Sequence, residues 1–244
     1  MAEKVFGLIG YPLGHSFSQQ YFQKKFQEEQ ISNCAYHLFP LTSIGQLPQL
    51  LHQQPNLVGL NVTIPYKQAV IPFLHHTNQL PFGACNCIAV RNGQLHGYNT
   101  DYVGFEASFS MHLKPWHTHA LVLGNGGATL AVLHVLNRLG IPYTVVSRQM
   151  HQGTSITYAQ LTPQLVAGHH IIINCTPLGT FPNVNEAPNI PYEAIGPKHY
   201  LYDLVYNPSQ TKFLLQGKEA GATVENGANM LSIQANEAWK IWTT

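Results

Sequence analysis

The run from His119 to Ser147 constrains this chain more than any other stretch. His119–Leu123 reads as an apolar strand, Gly124-Asn125-Gly126-Gly127-Ala128 as a glycine-rich turn, and Thr129–Leu139 as a helix with one apolar face, ending at Gly140. Tyr143–Ser147 reads as a second strand. Strand, glycine turn, helix and strand within about 30 residues make the β-α-β unit in which a dinucleotide loop works. Its glycines let the backbone approach a pyrophosphate, and the helix N-terminus offsets the charge. The spacing departs from GxGxxG, because Thr129 stands where a third Gly or Ala belongs. The second strand ends in Ser147-Arg148, without the carboxylate that takes ribose hydroxyls in NAD-specific units. A hydroxyl and a guanidinium there suit a 2′-phosphate, hence NADP; an arginine merely exposed after a strand is the alternative.

Strands and helices also alternate through the first hundred residues. Lys4–Ile9, Ala35–Leu41 and Leu57–Thr63 are strand candidates, with a helix carrying Phe17, Tyr21, Phe22 and Phe26 on one face and a short helix over Ile44–His52. Cys85–Val90 and Gln94–Tyr98 flank Asn92-Gly93, a two-residue hairpin turn. This is a mainly parallel α/β pattern. Lys114-Pro115-Trp116-His117 reads as a domain boundary. Beyond the glycine loop, Ile171–Cys175, Tyr200–Val205 and Ala222–Val224 continue as strands, with helices over Lys212–Ala220 and Met230–Trp242.

Polar residues gather where these elements end. Asn61, Thr63 and Lys67 lie at a strand end and a helix start, with Pro65 stopping the strand and suiting a first helical turn. Strand ends of α/β sheets are where small ligands sit, although Lys67 is equally readable as a surface lysine. Ser16 and Ser18 open the helix after Gly10-Tyr11-Pro12-Leu13-Gly14. They suit either a carboxylate or plain capping. Asp101, after Asn99-Thr100, is placed to cap its own helix.

Composition removes several classes. A chain of 244 residues suffices for one large or two small domains. With 9% charged residues and a net charge of +1, it offers no basic face for nucleic acid. The N-terminus lacks a basic region followed by an apolar core, so no signal peptide is expected. The most apolar region, Ala120–Leu139, is broken by Gly124, Asn125, Gly126, Gly127, His134 and Asn137, which excludes a membrane span there. Cys34, Cys85, Cys87 and Cys175 show no CxxC spacing and read as reduced cytoplasmic thiols. The 14 histidines form no HExxH, and the adjacent pairs His75-His76 and His169-His170 diverge on regular structure, so no metal is expected.

Taken together, these motifs resemble the shikimate/quinate dehydrogenase family along nearly the whole chain. Gly10–Ser18 is similar to the family's serine pair for a substrate carboxylate, and Asn61-Val62-Thr63-Ile64-Pro65-Tyr66-Lys67 to its catalytic-lysine motif. Gly83-Ala84-Cys85-Asn86 resembles the element whose Asn touches ring hydroxyls, and Gly97-Tyr98-Asn99-Thr100-Asp101 the one that supplies a catalytic Asp. Gly124–Ala128 and Ser147-Arg148 match the cofactor loop and the place of an Asn-Arg-Thr triplet. Tyr206 and Gln234 align with further substrate ligands, Thr176 with a cofactor neighbour, and Leu204 and Gly227 with nicotinamide neighbours. Departures are Ser147 and Gln149 around Arg148, Gly179-Thr180 for Gly-Met, and Asn229 for a Gly.

The resemblance implies a substrate-binding α/β domain over residues 1–103, with 227–244 packing back onto it. It implies a Rossmann-like NADP-binding domain over 104–226, with a cleft between the two. The implied reaction is reversible hydride transfer between NADPH and 3-dehydroshikimate, with Lys67 and Asp101 on the reacting oxygen, in a monomer or homodimer. A quinate-using relative and a non-catalytic NADP sensor are the competing expectations. Ser18, where quinate-preferring relatives carry Thr, points to shikimate, and retention of both Lys67 and Asp101 points to an enzyme.

Overall fold

The computed structural model describes residues 3–14, 16–150 and 152–244; His15, within the serine motif, lies outside them. The chain divides into two compact units, residues 1–103 with 232–244, and residues 104–231.

The first unit contains β1 (Lys4–Gly10), α1 (Phe17–Glu28), β2 (Cys34–Pro40), α2 (Leu47–Gln53), β3 (Leu57–Val62), α3 (Tyr66–Ala69), β4 (His76–Gln79), β5 (Cys87–Arg91) and β6 (Gln94–Tyr98). Helix α4 (Asp101–Ser110) starts in it. The strand order is β2-β1-β3-β5-β6-β4, and only β5 runs against its neighbours. The Asn92-Gly93 hairpin joins β5 to β6 as expected. Strand β4 was not legible, since its four residues are exposed and polar; it pairs with β6 at the sheet edge.

The second unit contains β7 (Ala120–Leu123), α5 (Thr129–Arg138), β8 (Tyr143–Ser147), β9 (Ile156–Thr157), α6 (Pro163–Gly168), β10 (Ile171–Asn174), β11 (Tyr200–Asp203), α7 (Lys212–Glu219) and β12 (Thr223–Asn226). Helix α8 (Ala228–Thr243) begins here and ends in the first unit. All strands are parallel in the order β12-β11-β10-β7-β8-β9. Read outward from β7, this is the doubly wound dinucleotide-binding order, with its switch point between β7 and β10. The Lys114–His117 turn is not where the units part, because it is fastened to the second unit. The Trp116 indole N–H donates to the Lys198 carbonyl at 3.2 Å, and His117 Nε2 lies 3.1 Å from the same oxygen.

One face of the first sheet is closed by aromatic packing. Phe6, Phe22, Tyr36 and Trp242 are buried together with Ala235 and Ala238 of α8. The Trp242 indole lies over Gly59 and donates to the Ile88 carbonyl at 2.9 Å. A Cβ at position 59 would meet the indole ring atoms, so β3 needs glycine here for close approach. Gly59→Ala should destabilise the protein by about 1–3 kcal/mol through overpacking, read as a lower denaturant midpoint at unchanged slope.

In the second unit the ends of β10 and β11 share a buried carboxylate. Asp203 is 0% exposed. Its Oδ1 accepts from Asn174 Nδ2 at 2.9 Å and the Val205 N–H at 3.0 Å, and its Oδ2 from Thr211 Oγ1 at 2.6 Å. Burial pushes its carboxyl up from 3.8 to about 6, against the lowering effect of those donors. The folded value exceeds the unfolded one, so this group's contribution is fully present below pH 4 and is lost as the pH rises through 6. The expected size is about 2–3 kcal/mol. Thermal melts from pH 4.5 to 7.5 should show wild type gaining on Asp203→Asn as the pH falls; parallel curves would contradict the assignment.

Candidate active site

The topology of the first sheet brings four segment ends to one place. Strands β1 and β3 are parallel neighbours although β2 separates them in sequence, and such a switch point leaves a crevice at the carboxyl ends. The segments leaving them are laced by backbone bonds, Thr63 N–H to the Ile9 carbonyl at 2.9 Å and Tyr11 N–H to the Ile64 carbonyl at 3.1 Å. Antiparallel β5 starts where β3 ends, so Asn86 arrives beside Asn61 and Val62, whose N–H donates to the Asn86 carbonyl at 2.8 Å. Strand β6 ends at Tyr98 opposite Cys87, which delivers Asn99, Thr100 and Asp101 to the same edge.

Asp101 does not cap its helix. The Asn99 side chain does, its Oδ1 accepting from the Asp101 and Tyr102 N–H groups at 3.0 and 3.4 Å. Asn and Asp are equally good caps, so sequence alone left the role with the wrong one of the two. Relieved of capping, Asp101 accepts from Lys67 Nζ at 2.7 Å on Oδ2 and from Asn86 Nδ2 at 2.8 Å on Oδ1. The Lys67 and Asp101 side chains are 22% and 9% exposed, enough for a ligand to reach the ammonium while the carboxylate stays held.

Asn86 joins the remaining groups. At 3% exposure, its Nδ2 also lies 3.0 Å from Thr100 Oγ1 and 3.1 Å from Gln234 Oε1, and its Oδ1 accepts the Thr100 N–H at 2.6 Å. Asn61 Nδ2 reaches the Asn86 carbonyl at 3.5 Å, and its Oδ1 accepts from the Tyr36 hydroxyl at 2.8 Å. Lys67, Asp101, Asn86, Gln234 and Asn61 thus form one hydrogen-bonded chain. Ser18 lies in the first turn of α1. Thr63 is half-buried beside Asn61's strand end. Ser16 caps α1, accepting the Gln19 N–H at 3.5 Å. Tyr36 was missed by sequence reasoning; only its place on a strand preceding Asn61's could have hinted at it.

The second unit carries the glycine loop at its own switch point. Gly124 has φ +105°, a backbone state that side chains disfavour, and a Cβ there would press on Thr176 and on the Cys175 backbone of β10's continuation. Thr129, in the third-glycine position, closes the loop: its hydroxyl donates to the Gly124 carbonyl at 3.2 Å and accepts the Gly126 N–H at 3.1 Å. Helix α5 has Ala128 at its N-cap and no side-chain cap; the Thr129 N–H donates to the Gly126 carbonyl at 3.0 Å, and the dipole of the helix faces the loop, the setting an anion favours. Asn125 Nδ2 donates to the Gln152 carbonyl at 3.2 Å, tying the loop to the turn after β8. No carboxylate ends β8, and the site therefore fits a phosphorylated dinucleotide better than NAD.

The cofactor candidates differ in how they are engaged. Arg148 is exposed, whereas Ser147 is buried and its hydroxyl donates to the Gln149 carbonyl and lies 3.1 Å from Thr154 Oγ1. The pairing of Ser147 and Arg148 expected on one phosphate therefore reduces to Arg148's guanidinium, because the serine hydroxyl already has partners. Thr176 is likewise engaged, donating from Oγ1 to Asn174 Oδ1 at 2.6 Å. Gly227 donates its N–H to the Val205 carbonyl at 3.2 Å and lies against the Leu204 backbone, so these two candidates are neighbours. Tyr206, half a turn beyond Leu204 and partly exposed, belongs to this unit, and burial raises its phenol. Among the described residues, no group of three His, Cys, Asp or Glu could hold a metal ion, and no helix is long and apolar enough to cross a membrane.

Comparison with known proteins agrees with this layout. Residues 8–88 match the family model of the shikimate dehydrogenase substrate binding domain. The chain is 34% identical over 259 residues to the NADP(+) shikimate dehydrogenase of Carboxydothermus hydrogenoformans, covering 98% of this chain and 91% of that protein. It is 36% identical over 249 residues to the enzyme of the same name from Syntrophomonas wolfei, covering 93% and 85%. Shikimate 5-dehydrogenase from Thermus thermophilus, solved in complex with NADP(H) and shikimate, superposes with a TM-score of 0.85 at 27% identity, over 98% of this chain and 93% of that one. With relatives above 30% identity over nearly its whole length, the chain belongs to the shikimate dehydrogenase family.

Proposed function

We propose that the protein is an NADP-dependent dehydrogenase that reversibly reduces 3-dehydroshikimate to shikimate in aromatic amino-acid biosynthesis. The observation that carries this reading is the 2.7 Å Lys67–Asp101 pair at the switch point, set among Asn61, Thr63, Asn86 and Gln234. A sensor needs no such pair. The first unit is the substrate-holding part: the Ser16 and Ser18 hydroxyls take the carboxylate, and the Asn and Gln amides with Thr63 take ring hydroxyls. Tyr206 adds a phenol from the second unit. That unit is the NADP-holding part, with the backbone of Gly124, Asn125, Gly126, Gly127 and Ala128 at the pyrophosphate and Arg148 at the 2′-phosphate. Ser147 and Thr176 support the two strand ends, and Leu204 with Gly227 lines the nicotinamide side.

Bound NADPH supplies the hydride. The protein's own task is one proton and one developing negative charge. Lys67, an ammonium with three donors, hydrogen-bonds the substrate's ketone oxygen, stabilises the oxyanion as it forms, and passes a proton to it. Asp101 keeps that ammonium in place, and Asn86 keeps Asp101 in place. In the oxidative direction the pair takes the proton from the hydroxyl.

The direct test offers shikimate and quinate, each with NADP and with NAD, and follows the absorbance of reduced nicotinamide. Turnover fastest with shikimate and NADP is expected; turnover only with quinate would select the quinate-using relative, and binding of NADP without turnover the sensor. Lys67→Ala should lower kcat by about 10²–10⁴, the range for a positioned acid–base group. Asp101→Asn should do the same without unfolding, since Asn99 holds the cap, and the double variant should lose less than the product of the single losses. Near-wild-type kcat in Lys67→Ala would return it to a surface lysine. Arg148→Ala should weaken NADP binding by about 1–3 kcal/mol and leave NAD unchanged, as titration of both cofactors would show.

A further inference from the structure

Tyr36 lies outside every motif that carried the functional reading, yet its hydroxyl is bonded to Asn61 of the site. On the sheet, Phe6 sits opposite Tyr36 and Leu8 opposite Asn61. Side chains two residues apart share a face, so Tyr36 and Asn61 project to the same side from strands flanking β1. The tyrosine is long enough to cross β1, and its hydroxyl donates to Asn61 Oδ1 at 2.8 Å. Its ring is fixed independently, stacked on Phe22 of α1 with centroids 4.7 Å apart and planes 14° apart. Tyr36 is 3% exposed, so it meets no ligand through open solvent.

The consequence is chemical. An asparagine amide presents either a carbonyl or an NH₂ edge, and little but its hydrogen bonds decides which. With Oδ1 occupied by Tyr36, Asn61 turns its NH₂ edge away from the tyrosine, where its contact with the Asn86 carbonyl is a long 3.5 Å. Asn61 is thereby set as a donor. We propose that Tyr36 is a positioning residue for substrate recognition: its hydroxyl fixes the Asn61 amide as a donor to a ring hydroxyl oxygen. This rests on the function proposed above and adds a residue to it. The contacts it sets are made equally to bound substrate and transition state, so their loss appears in KM rather than kcat.

The test is steady-state kinetics, with shikimate varied at saturating NADP, on the wild type, Tyr36→Phe, Asn61→Ala and the double variant, with thermal melts of each. Phe keeps the stacked ring and removes only the hydroxyl. Tyr36→Phe should raise KM about 3- to 10-fold, the loss of one hydrogen bond, with kcat within about 2-fold and the melting temperature within about 5 °C. In the Asn61→Ala background the same change should have almost no further effect. The two Asn61 side-chain NH₂ proton shifts should be displaced from those of a solvated asparagine in wild type and move towards those values in Tyr36→Phe. An unchanged KM, an equal factor in both backgrounds, an unchanged amide pair, or a larger fall in melting temperature with kcat and KM lost together would each overturn the proposal. A wild type that binds NADP but does not turn over shikimate would overturn the functional reading, and this inference with it; turnover with an unresponsive Tyr36→Phe would overturn the inference alone.

Discussion

The buried amide of Asn86 is the joint on which the first unit's site depends. It stands where antiparallel β5 leaves the end of β3, and it reaches Thr100, Asp101 and Gln234 at once. Burying an amide is tolerable only when its donors and acceptor are all answered, and here they are answered by two segments far apart in sequence, Thr100-Asp101 and Gln234 of α8. The orientation of Asp101, and through it that of Lys67, is therefore inherited from sheet register. A one-residue slip of β5 would turn Asn86 to the opposite face and dismantle the chain of bonds.

Much of this was legible from residues alone. The doubly wound second unit followed from a strand, glycines and a helix in close succession, and the pairing of Lys67 with Asp101 followed from resemblance. What stayed hidden was decided by competition between similar side chains or by contacts across the sheet. Asn99 and Asp101 are equivalent capping candidates two positions apart, and only the folded geometry awards the cap to Asn99. Ser147 has the right chemistry for a phosphate, but its hydroxyl is drawn to Gln149 and Thr154. Strand β4 has neither alternation nor apolar residues, because an edge strand need bury nothing. Tyr36 belongs to no motif, and by its ring it is one more core aromatic.

The loop of the second unit shows how a departure from a motif can keep its physics. A third glycine lets helix and strand pack closely. Thr129 is bulkier, yet it is buried at 1% exposure and uses its hydroxyl to bind the loop to itself. That leaves the N-terminus of α5 uncapped, the feature a phosphate group requires. Asn125 adds a tie to the turn that follows β8, so the glycine loop and the Arg148 segment are held by one side chain.

The return of α8 to the first sheet has a consequence for synthesis. Gln234 completes the Asn86 network, and Trp242 seals the face over Gly59. Both follow the 128 residues of the second unit, 104–231, in the order of translation. A ribosome making this chain can release the second sheet's residues to fold as a unit while the first sheet still lacks Trp242 and the alanines of α8 over its aromatic face. The nascent first unit therefore waits with that face partly uncovered, and the Asn86 amide that holds Asp101 is fully answered only after Gln234 has emerged.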